Sequence, residues 1–359
     1  LNAIDAASKG ANIQNYCKVT NVSKSDGLWS ITTTNSIDGK QRVSKAKSFI
    51  NASGPWIDDV LESSFKKKNS KNVRLVRGSH IVVNKLFDHD RSYICQNNDN
   101  RIFFMIPYED KFTLIGTTDI DHGQSAGKVE ISEEEQLYIC KSANEYLNTE
   151  ISLKDIVWSY SGVRPLYDDG ASEAQDATRD YVIKVEEQDS SLMVNIFGGK
   201  ITTYRRLSES ILKHVEGFLG KRGNAWTEKS SLPGGDIAVD GQIDLNTKLH
   251  KKYPFLTEET IKRLVRSYGT ISFDIFGDAE NLESLGEHFG SGLYEREVNY
   301  LIQEEWSRTS DDILFRRSKL GLSFSKDEIK KLDLYLDDFF KASSHSKNDE
   351  LKSKMVEKV

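Results

Sequence analysis

Cysteine is scarce: Cys17, Cys95 and Cys140 stand far apart in a chain of 359 residues. An odd, sparse set gives no disulfide framework and no CxxC metal pair, and it reads as buried or idle thiols in a reducing compartment. Long apolar runs are missing too. The longest strongly apolar stretch is Ile102 to Pro107, far short of the roughly 18–20 residues that span a bilayer. A spanning helix is not expected, whereas attachment to a membrane surface stays open. Positive charge is not in excess; the formal net charge of −6 argues against broad nucleic-acid binding. No basic start with an apolar middle marks a signal peptide. Residue 1 is Leu, and Leu1 to Gly10 reads as a helix end that stops at glycine; the chain is expected to begin inside a larger fold. HExxH, P-loop and GxSxG motifs are absent. Gly290-Ser-Gly292 is no dinucleotide fingerprint, because the sixth residue is Glu295 and no strand precedes it.

What is present suits a soluble globular chain of two or three domains, with 37% apolar, 29% charged and 10% aromatic residues. The first stretch reads as α/β. Strands are expected at Asn12–Val22, Leu28–Thr33 and Val43–Ile50, with turns at Asp26-Gly27 and Asp38-Gly39 and a helix from Ile57 to Phe65. The second reads as an antiparallel sheet: Arg74–Val83, Arg101–Pro107, Phe112–Thr118, Ile156–Arg164 and Tyr181–Glu186. A helix capped by Ser132 and Glu135 interrupts it. Strand Leu192–Phe197 then leads through Gly198-Gly199-Lys200 into a helix from Ile201 to Leu219. After Pro233-Gly234-Gly235 the pattern is helical, at Leu245–Lys252, Glu258–Tyr268, Tyr294–Trp306, Asp311–Lys319 and Lys326–Lys341.

Three constellations can carry chemistry. At Phe197 to Arg205, two glycines let backbone approach a flat or anionic ligand, and the following helix aims free N–H groups at the same place. Lys200 adds a cation, while Thr202 and Thr203 can bond the ligand or the first-turn amides. The same residues also read as an ordinary strand-to-helix turn. Gly162-Val-Arg-Pro-Leu166 places Arg164 at a strand end, where its fork suits phosphate or carboxylate. Arg179 precedes the next strand; if the two strands pair, both arginines converge on one anion, and otherwise each makes a surface ion pair with a neighbour such as Asp180. Arg77-Gly-Ser-His80 at a strand start and Gly116-Thr-Thr-Asp119 at a strand end form the third. A histidine has the pKa to take a hydroxyl proton, although a lone one is more often merely structural. The basic run Lys66-Lys67-Lys68, Lys71, Arg74, Arg77 reads as a solvated loop or as a patch for anionic lipid.

Taken in order, Asn51-Ala-Ser-Gly-Pro-Trp, Arg77-Gly-Ser-His-Ile-Val-Val, Ile115-Gly-Thr-Thr-Asp, Tyr160-Ser-Gly-Val-Arg-Pro-Leu, Thr178-Arg-Asp-Tyr, Phe197-Gly-Gly-Lys-Ile-Thr-Thr-Tyr-Arg, Ala225-Trp-Thr and Leu232-Pro-Gly-Gly resemble the FAD-dependent, aerobic glycerol-3-phosphate dehydrogenases of the D-amino-acid-oxidase-like flavoprotein group. The resemblance runs from near residue 1 to about residue 340. It implies an α/β and α+β fold: the remainder of a Rossmann-like FAD domain interleaved with an antiparallel-sheet substrate domain, plus an all-α C-terminal domain. The expected division is 1–65 and 191–220 for the FAD domain, 66–190 for the substrate domain, 221–341 for the helical domain and 342–359 for a flexible tail.

The same resemblance implies the site. FAD is expected near Val19, Ala52, Gly54 and Gly198, Gly199, Lys200, Ile201, Thr202 and Thr203. Arg164, Arg179, Thr118 and Lys200 are expected to bind glycerol 3-phosphate, with His80, Arg164 and Lys200 catalytic. It further implies oxidation to dihydroxyacetone phosphate, electron transfer to a quinone, and a cytoplasmic protein held peripherally at the inner face of the membrane. A homodimer and no nucleic-acid partner complete the expectation. The family's opening GxGxxG unit is missing here, so this chain is expected to be the C-terminal two-thirds of the enzyme. An oxygen-using oxidase, a non-catalytic fragment and an amine oxidase relative acting on a small amino acid are the rival readings.

Overall fold

The computed structural model describes residues 1–66, 71–123, 126–168, 180–188 and 190–356. Two compact units divide the chain: Tyr16–Glu228 is one, and Leu1–Asn15 joins Lys229–Val359 in the other. The first helix, α1 (Asn2–Ser8), therefore groups with the helical unit.

Within the Tyr16–Glu228 unit, β1 (Cys17–Ser25), β2 (Leu28–Asn35) and β3 (Gln41–Ala46) form an antiparallel meander. Its first hairpin closes at Asp26 and Gly27, both at positive φ, as the Asp-Gly signal predicts. The expected single strand Val43–Ile50 is not found. The chain breaks at Lys47, and β4 (Ser48–Asn51) leaves the meander to pair in parallel with a later strand. The reason is burial. β3 is exposed from Gln41 to Lys45, whereas β4 ends at the buried Asn51, and one straight strand cannot serve both environments.

After α2 (Ile57–Phe65) comes an antiparallel sheet. Its strands are β5 (Val73–Asn84), β6 (Tyr93–Gln96), β7 (Ile102–Tyr108), β8 (Phe112–Gly116), β9 (Ile120–Asp121) and β10 (Ile156–Tyr167), ordered β10-β5-β8-β7-β6 with β9 also on β5. The helix α3 (Glu133–Asn144) covers one face, where Ile81, Val83 and Ile115 meet Ile139, Cys140 and Ala143. Next come β11 (Val182–Gln188) and β12 (Ser191–Phe197), then α4 (Tyr204–Leu219). All of β12 is buried, as suits a strand covered on both faces. Period-two alternation splits its side chains: Met193 and Phe197 pack with Ile57 and Leu61 of α2, while Leu192, Val194 and Ile196 pack with Ile211 of α4. Helix, sheet and helix thus form three layers, with β12 in the middle one.

The other unit holds α5 (Gln242–Lys252), α6 (Glu258–Tyr268), α7 (Ser272–Phe276), α8 (Glu295–Gln303) and α9 (Lys326–Val356), with a short hairpin of β13 (His288–Gly290) and β14 (Leu293–Tyr294). The expected helix Tyr294–Trp306 stops at Gln303, and Asp311–Lys319 contains a π-helical turn over Asp312–Arg317. The Ser325–Glu328 capping box forms as its spacing predicts. No helix among the described residues is long and apolar enough to cross a membrane.

A buried ion pair ties α6 to α8. Arg263 reaches Glu297 at 2.5 and 2.7 Å, Tyr268 donates to the same carboxylate at 2.7 Å, and Glu297 is fully buried. Removing one partner leaves a buried charge uncompensated. Glu297→Ala is therefore expected to cost about 3–5 kcal/mol, read as a lower midpoint in urea unfolding. A loss under about 1 kcal/mol means the pair is not sealed from water.

Candidate functional site

The outer face of the large sheet, opposite α3, brings His80 and Arg164 together. Residues of β5 alternate between faces: Ser79 and Ile81 are buried toward α3, while Gly78 and His80 face the other way. Arg77-Gly-Ser-His80 lies in the middle of β5, not at a strand start, and its neighbour across the sheet is β10. There Gly162 pairs with Gly78 and Tyr160 with His80. The His80 and Tyr160 rings stack, with centroids 5.0 Å apart and planes 6° from parallel.

Arg164 lies flat over Gly78. A β-carbon at Gly78 would meet both terminal guanidinium nitrogens at 2.5 Å. Its Nη1 donates to Asp119 Oδ1 at 2.5 Å and its Nη2 to Thr117 Oγ1 at 3.0 Å. Gly116 makes the matching space for histidine: a β-carbon there would stand 2.5 Å from His80 Cδ2. The strand carrying Arg164 continues past Pro165 to Tyr167 instead of ending there. Proline is tolerated because β10 is the sheet's edge strand and its missing N–H costs no ladder bond.

His80 is neutral at neutral pH. Burial, followed by the charge of Arg164, lowers its pKa to about 4, and its Nδ1 is buried without a hydrogen-bond partner among the described residues. Thr118, expected among the substrate-binding residues, is 1% exposed. Its hydroxyl turns inward, donating to Glu135 at 2.8 Å, and Thr117 takes the place beside Arg164.

The diglycine bend adjoins β10. A β-carbon at Gly198 would stand 3.6 Å from Pro165 O and 3.0 Å from Asp180 O, and Gly198 and Gly199 both have positive φ. Lys200 is exposed, with its Nζ 3.9 Å from Asp180. A 3-10 turn over Ile201–Thr203 precedes α4, so the α-helix proper starts later than expected. No side chain caps the turn or α4; Thr203 Oγ1 donates back to Lys200 O. Ile201 and Thr202 are exposed. Beside this bend an apolar groove of about 510 Å³ runs between β4 and α4, lined by Ile50, Ala52, Gly54, Gly198, Tyr204 and Leu207 among others. Nothing stands within 4 Å of a β-carbon built on Gly54, whose φ is +55. Val19, paired with Thr33 in the meander, is not among the lining residues.

Arg179 lies outside the described residues. The condition for its convergence with Arg164 is not met, since β10 pairs with β5 and β11 with β12. Of the basic run, Arg74 is paired with Asp121 and Arg77 with Glu135, and Lys67 and Lys68 lie outside the described residues. Sequence reading missed the roles of Asp119 and Thr117, although both stand in the Gly116-Thr-Thr-Asp segment it singled out. It also missed Asn195, whose buried side chain accepts from Asn51 at 3.1 Å across the parallel strand ends. Nothing in the sequence signals that pair.

Residues 1–204 match the FAD dependent oxidoreductase family, and residues 225–333 match the C-terminal domain of alpha-glycerophosphate oxidase. This chain belongs to the FAD dependent oxidoreductase family. A glycerol-3-phosphate dehydrogenase of Pseudomonas aeruginosa is 40% identical over 94% of this chain and 65% of its own length. A D-erythritol 1-phosphate dehydrogenase of Brucella abortus is also 40% identical, over 91% of this chain and 65% of its own. The chain thus spans 65% of the length of either relative. The X-ray structure of a glycerol-3-phosphate dehydrogenase from Bacillus halodurans complexed with FAD aligns with a TM-score of 0.74 at 24% identity, covering 93% of this chain and 70% of that one. At that identity the likeness establishes the fold.

For this member of the family, the histidine sets a pH dependence. The ordinary histidine pKa of 6.5 falls to about 4 in the folded protein, so the unfolded chain takes up a proton first as pH drops. The stability due to this group is complete above pH 6.5 and is lost progressively toward pH 4. Thermal unfolding between pH 7 and pH 4.5 should therefore show a shallower decline for His80→Asn than for the native chain; identical slopes place His80 in water.

Proposed function

We propose that this chain supplies the substrate face and part of the cofactor groove of an FAD-dependent polyol-phosphate dehydrogenase. It oxidises sn-glycerol 3-phosphate to dihydroxyacetone phosphate and passes the electrons to a quinone at a membrane surface. One observation carries the reading: Arg164 is spread over Gly78 beside a neutral His80, on the strand that adjoins the diglycine bend and its groove.

The groove residues fit a flavin nucleotide. Ala52, Gly54 and Gly198 present backbone and open space rather than side chains, and the uncapped start of the 3-10 turn leaves N–H groups for an anionic ligand. FAD, when bound, supplies the acceptor for the hydride that leaves the substrate's secondary carbon. The protein's own residues do the rest. Arg164 offers a planar cation to the phosphate or to the oxygen where charge develops. His80, unprotonated, accepts the hydroxyl proton as the carbonyl forms. Lys200 adds a second positive charge at the bend. Arg179 is kept as a phosphate ligand on the resemblance alone, since β10 and β11 do not pair, and the membrane surface, a homodimer and cytoplasmic placement belong to the same proposal.

The equal identity to a D-erythritol 1-phosphate dehydrogenase makes the longer polyol phosphate the second reading. Both substrates present a phosphate and a row of hydroxyls, so assays with each separate the two.

In the FAD-loaded protein, Arg164→Lys is expected to raise KM roughly 10–100-fold, since a charged hydrogen bond is worth about 1.5–3 kcal/mol and lysine cannot reproduce the fork. Unchanged KM for both substrates removes Arg164 from the site. Oxygen consumption that matches substrate oxidation without added quinone favours the oxidase reading, and failure to oxidise either substrate favours the non-catalytic one.

A further inference from the structure

Arg164 owes its position to a loop, and the loop is held from behind. Thr117 and Asp119, the two residues that grip its guanidinium, flank Thr118. Thr118 Oγ1 donates to Glu135 Oε1 at 2.8 Å and accepts from Ser79 N at 3.0 Å. Ser79 Oγ also donates to Glu135 Oε1 at 2.8 Å and meets Ser161 Oγ at 2.8 Å, three residues before Arg164 on β10. Arg77 reaches Glu135 Oε2 at 2.7 Å. The floor under the guanidinium is Gly78, between Arg77 and Ser79.

Glu135 is thus a buried carboxylate, 3% exposed, with four donors: Ser132 N, Ser79, Thr118 and Arg77. Burial alone would raise its pKa; the hydrogen bonds from Ser132, Thr118 and Ser79 and the charge of Arg77 outweigh burial and hold it below the usual value. Capping α3 needs only the bond to Ser132 N. The other three go to the sheet and to the loop that carries Thr117 and Asp119. Alternation explains the geometry: side chains 77, 79 and 118 turn inward to the carboxylate, while 78, 117 and 119 border Arg164 on the outer face.

We propose that Glu135 is a positioning residue for Arg164: by fixing Ser79 and Thr118 on the inner face of the sheet, it sets where the guanidinium stands on the outer face. The proposal rests on Arg164 binding the substrate anion. An ionised carboxylate is the group required, because it accepts from all four donors and donates to none. Glutamine keeps the volume but turns an NH₂ toward one set of donors.

The test compares four single variants and one double variant in the FAD-loaded protein, with whichever of glycerol 3-phosphate and D-erythritol 1-phosphate it oxidises. Glu135→Gln is expected to raise KM about tenfold, the effect of about 1.4 kcal/mol, with a smaller change in kcat. Ser132→Ala removes the reciprocal cap and is expected to lower the melting temperature while KM stays within about twofold of native, because the carboxylate's links to the sheet remain. Thr118→Val cuts the hydroxyl link and keeps the shape; it is expected to raise KM as Glu135→Gln does, and it decides the matter if Glu135→Gln does not fold. In the pair Glu135→Gln with Arg164→Lys, KM should match Arg164→Lys alone. If Arg164→Lys raises KM but Glu135→Gln and Thr118→Val behave like Ser132→Ala, the positioning role is overturned and the anion site stands. Fully multiplicative effects in the pair overturn it too. If Arg164→Lys leaves KM unchanged, the anion site itself fails.

Discussion

A guanidinium laid flat against a strand needs a missing side chain beneath it, and Gly78 is that absence. Any β-carbon there would collide with both terminal nitrogens of Arg164. The same constraint recurs at Gly116 under His80. Gly162, opposite Gly78, has open space where its side chain would be. Three glycines on three adjacent strands flatten one patch of the sheet, so that a cation and an imidazole lie along it rather than stand away from it. The cost falls on the sheet, because glycine strands pack poorly and lose more entropy on folding. The opposite face compensates with Ile81, Val83 and Ile115 against α3, and with the hydrogen-bonded Glu135.

The groove is formed by a different device. β12 is buried from end to end, and its even residues turn to α4 while its odd residues turn to α2. A strand sealed on both faces places its chain end, Phe197-Gly-Gly, at a defined height beside β4. The buried amide contact of Asn51 with Asn195 joins those two parallel strands at the same end. Ala52 and Gly54 follow Asn51 directly, and so reach the groove wall from the same anchored point. The apolar lining is continuous with the α4 packing, which is why one helix contributes both core and groove.

Much of this was legible in the residues and some was not. His80, Arg164 and the diglycine bend could be named because each stands in or directly after a strand-like run, although His80 lies in mid-strand and the strand of Arg164 runs on to Tyr167. The capping box announced that Glu135 starts a helix, but not that its carboxylate also reaches into the sheet; that depends on long-range pairing of β5 with the loop after β8. Asn195 sits in an apolar run and looks like an interruption until its partner 144 positions away is in place. The break of Val43–Ile50 was hidden because both halves have strand character, and only the division between two sheets separates them. Pro165 suggested a strand end, since local chemistry knows the missing donor but not that β10 lies at an edge.

The electrostatics of the patch close the argument. Burial and the charge of Arg164 together depress His80, so without an anion the patch keeps its positive charge on the arginine alone. On the proposed reading, a phosphate group arriving at Arg164 cancels the charge that disfavours protonated histidine. That relieves only the smaller of the two causes, since burial is the larger, so the imidazole gains part of its basicity when the anion is in place. Asp119, already paired with Arg164, does not produce the same effect, because His80 remains depressed with that pair formed. On that reading the phosphate serves two ends: it places the hydroxyl, and it raises in part the basicity of the group that takes the hydroxyl's proton. A neutral polyol of the same length would obtain neither benefit. On that reading, discrimination against unphosphorylated polyols rests on the Arg164–His80 pair as well as on phosphate binding.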